Sequence, residues 1–139
     1  MVGFGVLEHV ENAEQSLVEI HRILKSGGYF FVFNLPQIYS LSEYLAPIFI
    51  GEKERHDRKY KSATLNNLLT KSGFRVVKIG FDNALPKRLK RGPHVIFLPL
   101  YNLFPQQIIL IDRLITKLPV IRNISNSLFA VALKQNPTN

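Results

Sequence analysis

Apolar residues fall along this chain in two rhythms, one alternating every second residue and one returning about every 3.6 residues. Ala13, Leu17, Ile20 and Leu24 are spaced four, three and four apart, which puts them on one face of a helix. Asn12 stands where an N-cap belongs, and Gln15 three residues on completes a capping-box-like pair. Lys25 suits the negative end of that helix, and Gly27 suits the left-handed position beyond it. The run Tyr29 to Leu35 is apolar at nearly every position, as a strand covered on both faces requires, and Pro36 is expected to stop it. Leu41 to Ile50 reads as a helix broken near Pro47. Ser62 is placed to cap a second clear helix, with Leu65, Leu68 and Leu69 on one face and Gly73 at its end. Phe74 to Phe81 then predicts a strand, with Phe74, Val76 and Ile79 among its core candidates. Val2, Val6 and Leu7 read as the end of an earlier strand, and Leu128 to Lys134 as the last one.

Strand, helix, strand, helix, strand is the order of an α/β architecture. Ala84 to Asn126 breaks the rhythm with Pro93, Pro99, Pro105 and Pro119 inside an apolar tract. Pro105 suits the first turn of a helix running to Leu118, apolar at Ile108, Ile111, Ile115 and Leu118. The chain therefore divides into a core over 1–83, an insertion over 84–126, and a last strand with its tail over 127–139.

Composition narrows the function classes. The chain has 139 residues, 46% of them hydrophobic and 20% charged, which suits one globular domain. It has no cysteine, so disulfides and thiolate metal sites are excluded. Met1 to Val10 lacks a basic n-region and carries Glu8 and His9, unlike a signal peptide, so a cytoplasmic location is expected. The net charge of +8 is unevenly spread: Glu8, Glu11, Glu14 and Glu19 make the start acidic. Basic residues cluster at Lys53, Arg55, Arg58, Lys59 and Lys61, and again at Lys87, Arg88, Lys90 and Arg91. Such clusters either meet phosphate groups or form solvated loops.

Motifs that carry chemistry by themselves are scarce. Gly3-Phe4-Gly5 lacks both a full preceding strand and a third glycine, so it is not a nucleotide-binding loop. His9, His21, His56 and His94 have no zinc spacing, and no serine nucleophile elbow is present. No metal site is expected.

Longer segments say more. Val6-Leu7-Glu8-His9-Val10, followed by Glu19-Ile20-His21-Arg22-Ile23-Leu24-Lys25-Ser26-Gly27-Gly28-Tyr29, resembles the class I S-adenosylmethionine-dependent methyltransferases of the ubiquinone-methylase-like group (methyltransferase type 11). In those proteins the fourth strand ends at a similar Leu-Glu-His segment, and a helix ending Arg-x-Leu-Lys-Pro-Gly-Gly leads into the fifth. Ser26 stands where the family usually has proline. His56 to Lys61, then Leu65, Leu68, Leu69, Ser72, Gly73, Phe74 and Val76, resemble a later family segment, and Ser127 to Lys134 its last strand.

The resemblance implies a Rossmann-like α/β fold with strand order 3-2-1-4-5-7-6 and an antiparallel last strand. This chain would hold its C-terminal half: the end of strand four and strands five, six and seven with flanking helices. An apolar helical segment is inserted before the last strand. The glycine-rich loop after strand one and the acidic ribose ligand after strand two are absent from this sequence. The implied activity is methyl transfer from S-adenosylmethionine to an apolar or lipid-like small-molecule acceptor. Leu7 and Glu8 would lie against the cofactor, His9 would act as a base or hydrogen-bond the acceptor, and His56 and Tyr60 would lie on the substrate side. The competing reading leaves Glu8 and His9 to cap the helix and fix the loop. The alternative function is a non-catalytic remnant or partner-binding module of the same fold.

Partners follow from the same reading. Nucleic acid is not expected, because the aromatic residues of Tyr29 to Phe33 belong to a buried strand. Residues 84–126 are expected either as a lid over the acceptor or as a segment lying on an anionic membrane surface, which would make the protein peripheral to the membrane. A cut sheet edge beside strand four is expected to promote self-association. Because the Leu-Glu-His segment normally follows a complete strand, the reading frame is expected to continue upstream of Met1 through a glycine-rich loop. The chain alone is then expected to hold S-adenosylmethionine weakly.

Overall fold

The computed structural model describes residues 1–40, 58–84 and 98–135. The expected helix over Leu41 to Ile50, the site candidate His56 and the basic run Lys87 to Arg91 lie outside the described residues. Two compact units are present. The first takes in Met1–Ile38, Asp57–Gly80 and Leu128–Asn139, the second Tyr39–His56 and Phe81–Ser127.

In the first unit, strand β1 (Val2–Phe4) is followed by helix α1 (Ala13–Ile23) and strand β2 (Tyr29–Pro36). Helix α2 (Ser62–Lys71), strand β3 (Phe74–Asp82) and strand β4 (Ser127–Lys134) complete it. The sheet order is β1-β2-β4-β3. β1 and β2 are parallel, with Val2 opposite Phe31 and Phe4 opposite Phe33. β4 runs against its neighbours. Its last residue, Lys134, exchanges 2.9 Å hydrogen bonds with Gly27 and Gly28 at the start of β2, while Asn126, just before it, donates to Asn83 just after β3. Parallel strands closed by one reversed strand between the last two reproduce the 4-5-7-6 part of the expected order.

Local chemistry explains the elements. Asn12 caps α1, its side chain accepting from Gln15 N–H at 3.0 Å. α1 buries Ala13 and Leu17, and α2 buries Leu65 and Leu69. These meet Phe30, Val32, Phe74, Leu128, Ala130 and Ala132 in one core. The small Ala130 and Ala132 on β4 leave room between β2 and β3, where the Phe30 and Phe74 rings approach to 5.7 Å. His21 meets Phe74 edge-on at 4.9 Å, so it is a packing residue.

Three expectations need adjustment. Ser62 is the first helical residue and Lys61 occupies the cap position without a side-chain capping bond. β1 ends at Phe4, so Val6 and Leu7 belong to the following turn. β2 buries Phe30 and Val32, but Tyr29 is exposed and Phe31 and Phe33 are half-buried. The second face is instead an aromatic ladder, Tyr29 to Phe31 to Phe33 to Phe129, at 6.1–6.3 Å between rings. Gly80 admits the Phe129 ring, since a Cβ there would overlap it.

The second unit contains helices α3 (Leu98–Leu103), α4 (Pro105–Ile115) and α5 (Pro119–Asn123). Pro105 and Pro119 sit in the first turns of α4 and α5, where no N–H is needed. α4 ends at Ile115 rather than Leu118, and Thr116 caps it by donating to the Asp112 carbonyl. Asn83 donates to the Ser127 hydroxyl at 2.6 Å, closing the neck of the insertion.

Lys134 joins the last strand to the first helix. Its ammonium donates to the carbonyls of His21, Arg22 and Leu24 at 2.7–3.2 Å, covering the negative C-terminus of α1. Lys134→Met keeps the stem and removes the donors. It is expected to lower stability by about 1–2 kcal/mol, with faster amide exchange confined to the last turn of α1; urea denaturation and hydrogen exchange measure both.

Candidate active site at the carboxyl ends of β1 and β2

Open α/β sheets bind ligands outside the carboxyl ends of their strands. At that end of β1 the ladder continues one step, with Gly5 N–H donating to Phe33 O at 3.1 Å. Gly5 then takes a left-handed φ of 58°, and the chain turns through Leu7 to His9, closed by His9 N–H to Val6 O at 3.0 Å. Asn34, at the matching level of β2, also has a positive φ, 59°. A non-glycine residue held there is a strained position of the kind that gathers at functional sites.

Both bends bring polar groups together over Gly5. A Cβ on Gly5 would stand 3.3 Å from Glu8 Oε1 and 3.8 Å from Asn34 Nδ2. Glu8 is 7% exposed, and its Oε2 meets no hydrogen-bond partner among the described residues. A buried carboxylate oxygen without a donor is costly, and it is the natural counterpart of a cationic or donor-bearing ligand group. Leu7 is buried, and His9 is exposed beside it.

The Leu7–Glu11 loop is held from one side by the residues that follow position 57. Tyr60, 2% exposed, donates its hydroxyl to Leu7 O at 2.8 Å. Arg58 donates Nη1 to Val10 O at 2.8 Å and Nη2 to Glu11 O at 2.9 Å. Tyr60 is anchored in turn at the end of β2, through its N–H to Pro36 O and its carbonyl to Ile38 N–H. Three carbonyls of one short loop are thus satisfied by two side chains from a distant segment.

The structure therefore gathers Leu7, Glu8, His9 and Tyr60 in one place. Tyr60 spends its hydroxyl on the backbone, and Leu7 offers only its apolar side chain because its carbonyl is taken. The sequence reading overlooked Asn34, Gly5 and Arg58. The polar break inside Tyr29 to Leu35 was a signal for Asn34, and Arg58 was hidden in its basic cluster. Among the described residues no group of three side chains suits a metal ion. An open depression of about 680 Å³ lies elsewhere, on α1, lined by Glu11, Gln15 and Glu19 among others.

Burial pushes the Tyr60 phenol above its ordinary value near 10; Arg58 opposes the shift and the Glu8 carboxylate adds to it. The folded chain thus keeps this proton longer than the unfolded one. The stability involved is full below pH about 10 and is lost as pH rises through the raised value. Tyr60→Phe is expected to cost about 1 kcal/mol at neutral pH and to flatten the alkaline loss of stability. Urea midpoints measured from neutral to alkaline pH check both; an unchanged alkaline slope would show that Tyr60 does not titrate in this way.

A family model for a methyltransferase domain matches residues 1–32, the stretch from β1 through the loop and α1 into β2. No curated protein matches the chain. Among solved structures it is similar to a Thermotoga maritima S-adenosylmethionine-dependent methyltransferase, described as a possible histamine N-methyltransferase. There the TM-score is 0.58 at 17% identity, over 96% of this chain and 54% of that one. It is also similar to a chain of the complex between the Haloferax volcanii Trm112 methyltransferase activator and a methyltransferase, with TM-score 0.57 and 15% identity, over 99% and 54%. The chain spans about half the length of these structures. Matched segment, strand order and reversed β4 agree, and the described residues share the α/β fold of these methyltransferase structures over about half of their length.

Proposed function

We propose that this chain serves methyl transfer from S-adenosylmethionine to a small acceptor of apolar or lipid-like character, and that it supplies only part of the cofactor site. The observation that carries this reading is the Glu8 carboxylate, buried with one oxygen unpartnered among the described residues, inside the segment that matches a methyltransferase domain. The bound cofactor supplies an electrophilic methyl group on a positively charged sulfonium. Glu8 complements that charge or a donor on the same ligand, and Leu7 gives the site an apolar wall. His9 accepts the proton that a hydroxyl or amine acceptor loses when its lone pair takes the methyl group. Tyr60 and Arg58 hold the loop in register, and alignment supplies much of the rate in such a displacement. His56 belongs with the acceptor side in this reading.

Among the described residues β1 ends the sheet order, where a strand one would pair in the seven-stranded arrangement. The remaining half of the fold, with its glycine-rich loop, would add its strands there. Alone, the same edge is open to a second copy.

Calorimetry with S-adenosylhomocysteine tests the proposal. The chain alone is expected to bind weakly. Supplying a half that carries the glycine-rich loop is expected to tighten binding at least tenfold, about 1.4 kcal/mol. Glu8→Gln in the joined protein is expected to weaken it about tenfold, as loss of a charge-assisted hydrogen bond would. Unchanged affinity in Glu8→Gln would remove Glu8 from the site. No binding by the joined protein would favour a non-catalytic remnant.

A further inference from the structure

Helix α4 is turned inside out. Its one acidic residue, Asp112, is buried, whereas Ile109, Leu110, Ile111 and Leu114 are each about half-exposed, at 49–58%. Leu110 and Leu114 lie one turn apart and Ile111 and Leu114 three residues apart, so these side chains adjoin. Flanking residues of the same unit are exposed as well: Leu103 is 72% exposed, Val120 75%, and Phe104 and Leu118 about half. A protein surface rarely leaves so many large apolar side chains together in water unless something covers them.

Charge selects the occupant. From Asn83 to Ser127 the sequence carries seven Lys and Arg and a single acid, Asp112. Among the described residues Arg113, Lys117 and Arg122 are exposed beside the apolar side chains. The acid is the group taken out of solvent, so what α4 and its neighbours present is apolar and cationic. A second copy would bring the same cations against themselves. A lipid surface with anionic headgroups satisfies both features, the acyl region taking the leucines and isoleucines and the headgroups taking the cations. Among the described residues no helix is long and apolar enough to cross a membrane, so the contact would be one of lying on the surface.

We infer that the exposed apolar face of α4, with Leu103, Phe104, Leu118 and Val120, is a docking surface for an anionic membrane. The inference stands apart from the methyl-transfer reading, since it uses no residue of that site. The test is co-sedimentation of the full chain with vesicles of phosphatidylcholine, with and without phosphatidylglycerol, at low salt. Binding is expected only with phosphatidylglycerol. Leu110→Ser with Leu114→Ser leaves the net charge unchanged and is expected to weaken binding at least tenfold. Arg113→Gln with Lys117→Gln is expected to weaken it about twenty-fivefold, near fivefold for each cation. Circular dichroism shows whether each pair folds; two separate pairs keep the test open if one does not. Absence of vesicle binding overturns the inference. So does binding that the leucine pair leaves unchanged, which would be net charge alone. A dimer that the leucine pair dissolves, with no vesicle binding, would assign the face to a second copy instead.

Discussion

Tyr60 donates its hydroxyl to the Leu7 carbonyl across 2.8 Å, and both residues are out of water. Neither group can be left alone there, because a buried polar group without a partner costs about 1–3 kcal/mol. The bond therefore fixes where the turn after β1 sits. Arg58 extends the constraint to Val10 and Glu11, and Asn12 then begins α1 with its own cap. The loop is pinned along one side by side chains and at its end by a helix. What stays available is its other side, where the Glu8 carboxylate and the Asn34 amide gather over Gly5. A loop fixed by these bonds, carrying a carboxylate oxygen with no partner among the described residues, suits a preorganised ligand site.

The rest of the first unit serves to hold β1 and β2 at that level. β4, running against its neighbours, places Lys134 under the C-terminus of α1, so the last strand stabilises the helix that follows the loop. Its alanines let aromatic rings from β2 and β3 meet above it. The helix that follows the loop is thus held by a residue more than a hundred positions away in sequence.

Much of this was legible before the structure. Helical spacing located α1 and α2, each with a glycine beyond its end, and short apolar runs located β2, stopped near Pro36, and then β3 and β4. Pro105 marked the start of α4 for the same local reason. The resemblance carried by Leu7-Glu8-His9 and Lys25-Ser26-Gly27-Gly28 led to the fold and its strand order. Long-range hydrogen bonding was hidden. Nothing local to Arg58 separates a guanidinium that binds two carbonyls from one in a solvated cluster. Helical spacing put Ile108, Ile111, Ile115 and Leu118 on the apolar face and Asp112 on the polar side, and only the structure reveals that Asp112 is buried while Ile111 and Leu118 are about half-exposed. The half-covered second face of β2 was masked likewise, since aromatic residues suit a buried strand and a stacked ladder equally well.

In the proposed reading, the loop after β1 and the Asn34 bend form one wall of the cofactor site. Amide chemical shifts of the isotope-labelled full chain, followed during titration with S-adenosylhomocysteine, test it most directly, because this method detects weak binding and locates it. The account predicts shift changes at Gly5 to Val10 and at Asn34, with α4 and α5 silent. Changes centred on α4, or none at saturating ligand, would contradict it.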